Sequence, residues 1–335
     1  MSTKSLIITS IAADTLEVLH TFAKECKQRN FNFILIGDTK SPEKFEIDGC
    51  DYWSVNRQLT LDSKFAKICP TKHYARKNIG YIIALQNGTQ EIIETDDDNL
   101  PRAEFWKEKS RTVPAYDIKE QGWVNVYNYF SDKFIWPRGL SLEELQKVSK
   151  PLSDFEIKNI NCPIQQGLAD ENPDVDAVYR LAYPLPLNFN KGMSLALGNG
   201  AWSPFNSQNT YWYNEAFPLL YLPAYCSFRM TDIWRSYVAQ RIAWANGWSI
   251  LYHEATVWQE RNQHNLLKDF EDEIPGYLNN AKICKELENL TIKGGKENML
   301  QDLRTCYVML TEKGFVGKEE MALVDAWCED LSKVW

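Results

Sequence analysis

The alternation of strand and helix signals over the first hundred residues constrains the fold of this chain more than any other feature. Apolar runs at residues 6–9, 33–36 and 91–95 predict strands, whereas apolar residues at helical spacing over residues 14–29 and 74–86 predict helices. This β-α-β-α-β order predicts an α/β fold with a mostly parallel central sheet flanked by helices. In such sheets ligands bind beyond the edge at which the carboxyl ends of the strands meet.

The rest of the chain predicts a different organisation. Residues 100–230 are rich in Pro, Asn, Trp and Tyr, which is typical of loops and short strands that build a binding surface, and a helical pattern returns over residues 232–246. Residues 279–335 are charged and amphipathic. We therefore expect one domain over residues 1–278, followed by a small C-terminal helical appendage over residues 279–335.

Three successive carboxylates, Asp96, Asp97 and Asp98, follow the third predicted strand. They repel one another, so their clustering costs stability unless a cation or hydrogen-bond donors compensate. Strand alternation would place Asp96 and Asp98 on one side and Asp97 on the other. Two hard oxygen ligands on one side would form half of a Mg²⁺ or Mn²⁺ site that also holds phosphates. The alternative is an acidic, solvated turn.

Polar residues at the ends of the earlier predicted strands favour the ligand site over the solvated turn. Thr9, Ser10 and Asp38 fall at the same sheet edge as the acidic triplet Asp96 to Asp98. Together with Asp96 and Asp97 they are candidates for binding a nucleotide, with hydrogen bonds to its base and ribose. Turn and cap chemistry is the alternative for Thr9, Ser10 and Asp38.

Two cations, Arg76 and Lys77, stand near the start of the helix that precedes the triplet. Cations are slightly unfavourable at a helix N-terminus, where the dipole is already positive. A phosphate of the nucleotide, or the triplet itself, would explain them; a solvated helix face is the alternative.

Several longer strings make the chain resemble the STELLO family of glycosyltransferases, from about residue 5 to about residue 280. They are RKNIGYIIALQNG, IIETDDDN, IWPRGLSLEEL, IQQGLADENPDVDAVYRL, SPFNSQNT, FRMTDIWRSYVAQRIAW and QERNQHNLLKDF. The resemblance implies a GT-A-like fold with a nucleotide-binding half over residues 1–100 and an acceptor and catalytic half over residues 101–278. It also implies Mn²⁺ or Mg²⁺, a nucleotide-sugar donor with UDP favoured, and a glycan or other hydroxyl acceptor, with inverting transfer favoured.

Two further residues receive roles from this reading. Asp232, at the start of the later helix, matches the position of the catalytic base that deprotonates the acceptor hydroxyl in GT-A enzymes, and a helix N-cap is the alternative. A further strand is predicted at residues 248–252, and His264, which follows it, is a candidate third metal ligand beside Asp96 and Asp98. A structural, hydrogen-bonded histidine is the alternative there.

A weaker resemblance reaches the reversibly glycosylated polypeptides, which include UDP-arabinopyranose mutases. It rests on the triplet, on the loop Trp136-Pro137-Arg138-Gly139 and on the Asp174-Val175-Asp176 segment. That family implies a glycosylated arginine at Arg138, and donor-diphosphate binding is the other role that a guanidinium suits. The chain is therefore expected to be a glycosyltransferase; a nucleotide-sugar mutase and a non-catalytic assembly protein are the alternatives.

The composition argues against some classes of binding partner and predicts where the protein is located in the cell. The net charge of −8 argues against nonspecific binding to nucleic acid or to an anionic membrane. The apolar run near the N-terminus is too short for a signal sequence, and no run approaches a membrane span. The eight cysteines are scattered without a CxxC pair, which predicts reduced thiols and a cytoplasmic protein.

Overall fold

The computed structural model describes residues 3–260 and 265–335. Its strands are β1 (Lys4–Thr9), β2 (Asn32–Ile36), β3 (Cys50–Trp53), β4 (Glu91–Thr95), β5 (Asn99–Pro101), β6 (Thr112–Ile118), β7 (Gly122–Trp123), β8 (Ile157–Asn161), β9 (Ile164–Asp170), β10 (Ser194–Leu197), β11 (Ala201–Trp202), β12 (Asn209–Tyr213) and β13 (Ile250–Gln259). Its α-helices are α1 (Glu17–Arg29), α2 (Val55–Gln58), α3 (Lys64–Ile68), α4 (Lys77–Gln86), α5 (Tyr127–Phe130), α6 (Ala177–Ala182), α7 (Thr231–Ala245), α8 (Leu266–Asn289), α9 (Met299–Glu312) and α10 (Glu320–Leu331). Short 3₁₀ helices include Tyr74–Arg76, immediately before α4, and Phe228–Met230, immediately before α7.

One large sheet organises the molecule, in the strand order β3-β2-β1-β4-β12-β9-β13-β10-β6-β8. The first four strands in this order are parallel. Strand β12 runs antiparallel to both of its neighbours, and from there parallel and antiparallel pairs alternate. The predicted α/β fold with a central sheet and flanking helices is confirmed, and its parallel character is concentrated in the N-terminal half.

Strand β1 lies between two apolar layers, one on each face of the sheet. Leu6 and Ile8 belong to the same buried cluster as Phe22 of α1, whereas Ile7 belongs to the larger buried cluster together with Ile79 of α4. Successive strand residues point to opposite faces, so α1 covers one face of the sheet and α4 covers the other. This sandwich presents the carboxyl ends of β1, β2 and β4 at one edge.

The C-terminal helices are part of the same packed body as the sheet. The predicted boundary between residues 278 and 279 falls inside the continuous helix α8. Asp330 of α10 accepts hydrogen bonds from Ser63 Oγ at 2.6 Å and from the backbone N–H groups of Lys64 and Phe65 at 3.0 and 2.9 Å, and so caps α3. The larger apolar cluster extends from β1 to α10.

Two smaller findings concern membrane-spanning helices and cysteines. None of the helices formed by residues 3–260 and 265–335 combines the length and the apolar character that a bilayer-spanning helix needs. The eight cysteines are free thiols, and most of them are buried.

Candidate functional site

A cavity of about 460 Å³ opens where the strands β1, β2 and β4 end. Its wall contains most of the site residues that the sequence predicts: Thr9, Ser10, Asp38, Arg76, Asp96, Asp97, Asp98, Arg138 and Asp232. Lys77 lies directly behind this wall, and His264 lies outside the described residues. The structure thus joins residues from both halves of the chain around one cavity.

The acidic triplet forms a turn. Strand β4 ends at Thr95 and β5 begins at Asn99, whose backbone N–H donates to the carbonyl of Asp96 at 3.3 Å. The expected alternation, with Asp97 turned away from Asp96 and Asp98, is wrong because the extended backbone ends one residue before the triplet. All three carboxylates line the cavity.

Asp96 is held by a buried cation. The fully buried Nζ of Lys77 lies 3.2 Å from Asp96 Oδ1 and also donates to the carbonyl of Thr95 at 2.8 Å and to Tyr74 Oη at 2.7 Å. Tyr74 Oη in turn donates to Asp96 Oδ1 at 2.7 Å. Of the partners predicted for Lys77, the structure shows the triplet. A buried ammonium is tolerated when carboxylate and carbonyl oxygens surround it in this way.

One carboxylate oxygen of Asp98 has no hydrogen-bond partner among the described residues. Its Oδ2 accepts a hydrogen bond from Gln259 Nε2 at 2.8 Å, while its buried Oδ1 has no hydrogen-bond partner among the described residues. Burial and the neighbouring charge of Asp96 raise the pKa of Asp98 to about 7. Burial also raises the pKa of Asp97, although a hydrogen bond from Ser10 Oγ opposes the shift. A cation next to Asp98 Oδ1 would relieve this unfavourable charge.

The donor set fits a divalent cation that arrives with phosphates. Among the described residues no group of three or more His, Cys, Asp or Glu side chains is arranged to hold a metal. Mg²⁺ sites commonly use one or two carboxylates and complete the shell with substrate phosphates and water. The orphaned Oδ1 of Asp98 fits that kind of site, whereas the part predicted for His264 stays a prediction.

Arg138 and two carboxylates, Asp174 and Asp232, also line the cavity. Nε and one terminal nitrogen of Arg138 bind the two oxygens of Asp174, each at 2.8 Å, and its terminal nitrogens bind the two oxygens of Asp232, each at 3.1 Å. Burial opposes the charge of Arg138, but the two carboxylates outweigh it and raise the pKa of Arg138 well above its usual value. Burial likewise opposes ionisation of Asp232, yet Arg138 outweighs that effect and lowers the pKa of Asp232 to about 2.

Asp232 does not cap its helix. Helix α7 begins at Thr231 with Met230 at the N-cap, and no side-chain hydrogen bond caps it. The Asp232 carboxylate points instead to Arg138 and to Ser207, whose backbone N–H and Oγ lie 3.2 and 3.3 Å from Asp232 Oδ2. The structure therefore gives Asp232 a place in the cavity wall, and its role as a base stays a prediction.

Arg76 has a largely structural environment. One terminal nitrogen donates to the carbonyl of Cys69 at 3.1 Å, and the other donates to Gln58 Oε1. A buried guanidinium must satisfy its N–H groups, and these contacts use them inside the loop before α4. Its Nε has no partner among the described residues, and a phosphate contact stays a prediction for Arg76.

Asp38 ties two loops at the cavity together. Its Oδ1 accepts the backbone N–H of Thr39 at 2.6 Å, and its Oδ2 accepts the backbone N–H of His73 at 3.0 Å. This turn chemistry is the alternative proposed from the sequence, yet it leaves Asp38 in the cavity wall beside Thr9 and Ser10. Nucleotide binding by these three residues stays a prediction.

Sequence reasoning missed several residues of the wall, among them Tyr74, Ser207, Phe228 and Gln259. Phe228 is 55% exposed, and its ring meets the rings of His73 and Tyr74 with centroids 6.1 Å away in both cases. One signal was available, since Tyr74 precedes Lys77 by three residues, a spacing that places two side chains on one helix face. Ser207 lies in the loop before β12, Phe228 in the 3₁₀ helix before α7 and Gln259 at the end of β13, and no sequence pattern marks any of them as a site residue.

Comparisons with known proteins support the family resemblance. Residues 229–335 match the family model described as STELLO glycosyltransferases. The chain is 26% identical to an Arabidopsis thaliana protein described as probable glycosyltransferase STELLO2 and 25% identical to STELLO1 from the same plant, over 99% of this chain and 45% of each relative. It thus spans about half the length of these curated relatives. A structure of glucosyl-3-phosphoglycerate synthase from Mycobacterium tuberculosis in complex with phosphoglyceric acid covers 84% of this chain and 80% of its own, with 9% identity and a TM-score of 0.42.

Proposed function

We propose that this chain, which resembles the STELLO glycosyltransferases, is a metal-dependent glycosyltransferase. It would move a sugar from a nucleotide sugar, with UDP favoured, to an acceptor hydroxyl with inversion at the anomeric carbon. The observation that carries the proposal is that Asp98, which has a carboxylate oxygen without a partner among the described residues, and the ion pair of Arg138 with Asp232 line the same cavity. A metal-assisted leaving group and a candidate base are the two parts that such a transfer needs.

The donor would lie along the strand ends. Thr9, Ser10 and Asp38 would bind the nucleoside, and Asp98 would reach the diphosphate through Mg²⁺ or Mn²⁺. A bound divalent ion supplies charge stabilisation for the departing diphosphate. Asp96 contributes less through Oδ1, because Lys77 and Tyr74 already bind that oxygen.

Asp232 would take the proton of the acceptor hydroxyl. The acceptor oxygen forms its bond to the anomeric carbon, the bond from that carbon to the diphosphate breaks, and the proton moves to the Asp232 carboxylate. Because Arg138 lowers the pKa of Asp232 to about 2, this carboxylate is a weak base and accepts the proton only once the bond to the anomeric carbon has made the acceptor hydroxyl acidic. Arg138 thereby positions Asp232 and keeps it ionised.

The geometry disfavours the mutase alternative. A glycosylated arginine requires an uncharged guanidinium nitrogen as nucleophile, whereas two carboxylates and the carbonyl of Arg229 bind the Arg138 guanidinium and raise its pKa. An intact-mass spectrum after incubation with UDP-sugars tests this directly. No sugar adduct is expected on the wild type.

A thermal-shift titration with UDP and MnCl₂ tests the proposed donor site. The wild type is expected to be stabilised, Asp98→Asn is expected to lose the shift, and the matched control Asp132→Asn, an exposed aspartate outside the cavity, is expected to keep it. The absence of a shift with every nucleoside diphosphate plus metal would contradict the proposal.

Asp232→Asn separates an enzyme from an assembly protein. The variant is expected to retain the UDP–Mn²⁺ shift and to lose hydrolysis of the UDP-sugar, because it removes the base and keeps the donor end. Equal hydrolysis by the wild type and by Asp232→Asn, or none by the wild type with every UDP-sugar that binds, would favour the non-catalytic reading.

A further inference from the structure

A continuous line of hydrogen-bonded oxygens connects the two ends of the cavity. Asp96 Oδ1 lies 2.7 Å from Tyr74 Oη, Tyr74 Oη lies 2.7 Å from Ser207 Oγ, and Ser207 Oγ lies 3.3 Å from Asp232 Oδ2. A carboxylate thus stands at each end, with two hydroxyl groups between them. The four residues come from the turn after β4, the 3₁₀ helix before α4, the loop before β12 and the first turn of α7.

The number of protons in this line leaves one of its three contacts without a proton in every arrangement. Three oxygen–oxygen contacts share the two hydroxyl protons of Tyr74 and Ser207, because ionised carboxylates only accept. If Tyr74 donated to Asp96 while Ser207 donated to Asp232, two hydroxyl oxygens would face each other at 2.7 Å without a proton between them. When both hydroxyls donate in the same direction, the contact without a proton lies at an end of the line, where Lys77 Nζ or the backbone N–H of Ser207 supplies a donor. This favours two arrangements: both hydroxyls donate towards Asp96, as the site geometry has Tyr74, or both donate towards Asp232.

Lys77 makes both arrangements feasible. Its Nζ donates to Tyr74 Oη at 2.7 Å and lies 3.2 Å from Asp96 Oδ1, so both oxygens keep a donor whichever way the hydroxyls point. The backbone N–H of Ser207 similarly stays on Asp232 Oδ2 at 3.2 Å. Reversing the line then exchanges one hydrogen bond at one end for one at the other.

We infer that Tyr74 and Ser207 form a two-state hydrogen-bond relay through which the state of Asp96 at the donor end sets the hydrogen bonding of Asp232 at the acceptor end. A cation or a donor hydroxyl on Asp96 makes it a poorer acceptor, so both hydroxyls turn towards Asp232. A donor placed against Asp232 turns both towards Asp96. Tyr74 and Ser207 are positioning residues in this scheme, which rests on the proposed donor site.

A double-mutant cycle on ligand affinity tests the relay. Asp232→Asn introduces an amide donor next to Ser207, which favours the arrangement towards Asp96 and competes with a ligand there. The effect of Asp232→Asn on the dissociation constant of UDP with Mn²⁺ is measured by calorimetry in the wild-type background and in the Tyr74→Phe background. The two effects are expected to differ by about fivefold, a coupling of ~1 kcal/mol.

Matched variants separate the relay from packing. Ser207→Ala is expected to abolish the coupling as Tyr74→Phe does, and the two together are expected to do no more, because either one interrupts the same line. Tyr213→Phe and Ser203→Ala serve as controls and are expected to leave the coupling intact, since within the described part of the chain their hydroxyls have no hydrogen-bond partner. A merely structural role for Tyr74 and Ser207 would instead give additive effects, which would overturn the relay.

A measurement without ligand keeps the relay testable if the donor site fails. The free energy of unfolding is measured for Asp96→Asn, Asp232→Asn and the double variant, with and without Tyr74→Phe. Non-additivity in the presence of Tyr74, and additivity in its absence, is the expected result. Additivity in both backgrounds contradicts the relay, whereas a wild type that binds no UDP with Mn²⁺ contradicts only the proposed function.

Discussion

The three aspartates of the acidic triplet have the same side chain but different environments. Asp96 shares its Oδ1 with Lys77 and Tyr74, Asp97 accepts from Ser10, and Asp98 has a buried oxygen without a partner among the described residues. Because all three residues are aspartates, only these contacts distinguish a carboxylate whose charge is already compensated from one that could still bind a cation.

The pKa of Asp98, raised to about 7, predicts a pH-dependent donor affinity. The affinity for UDP with Mn²⁺ is expected to rise with pH up to about pH 7, by up to tenfold per pH unit below the pKa, because the metal requires the ionised carboxylate. Calorimetry between pH 5.5 and 8.5 (roughly the range in which this group titrates) measures it. Asp132→Asn should reproduce the wild-type profile, and a flat wild-type profile would contradict the assignment.

The same carboxyl group predicts that the stability of the protein changes with pH in the opposite direction to the donor affinity. Its folded pKa lies above the unfolded value, so its favourable contribution is complete at low pH and is lost as pH rises towards 7. Asp98→Asn is therefore expected to be more stable than the wild type above pH 7, with a gap that narrows as the pH falls towards 4. Urea denaturation at several pH values tests the sign.

Arg138 predicts a large cost of a single substitution. Arg138→Met leaves Asp174 and Asp232 buried without their cation, and the free energy of unfolding is expected to fall by about 3–5 kcal/mol at neutral pH. Burial then raises the pKa of Asp232 against only Arg235 and the backbone N–H of Ser207, so the variant should regain stability as the pH falls. Arg138→Lys keeps the charge without the fork and is expected to lose less; equal losses would argue against the bidentate geometry.

At the scale of elements, the cavity is built by the ends of strands and helices. Strands β1, β2 and β4 end at its floor, the 3₁₀ turn before α4 brings Tyr74, and the first turn of α7 brings Asp232. Strands β1, β2 and β4 and helices α1, α4 and α7 were predictable because each carries its own apolar pattern. The short segments β3, α2 and α3 were not predicted, since four or five residues carry too little pattern and take their shape from neighbours.

The cap of α3 by a distant helix gives a test at this scale. Asp330→Ala removes the acceptor of two backbone N–H groups and of Ser63 Oγ, and is expected to lower the free energy of unfolding by about 1–2 kcal/mol. Asp325→Ala on the same helix breaks only an exposed ion pair with Arg304 and is expected to cost less than about 1 kcal/mol. Equal effects in chemical denaturation would show that the cap contributes nothing special.

At the scale of the whole molecule, the C-terminal helices complete the core. A fragment that ends at residue 278 would cut α8 and remove Leu303, Trp327 and Leu331 from the larger apolar cluster. We expect this fragment to lack cooperative unfolding, as measured by circular dichroism during heating, and to be digested rapidly by protease. A cooperative transition for residues 1–278 would instead support the boundary expected from the sequence.

The sequence by itself determined the α/β scaffold, the edge at which its strands end and the acidic triplet placed there. Those features follow from local patterns: apolar periodicity, helix stop signals and residues that come directly after a strand. Only the tertiary structure decided that the triplet is a turn, that Lys77 compensates Asp96, and that Asp232 pairs with Arg138, 94 residues away in the chain. Charge compensation depends on distance in space and on burial, and neither quantity is written into a local stretch of sequence.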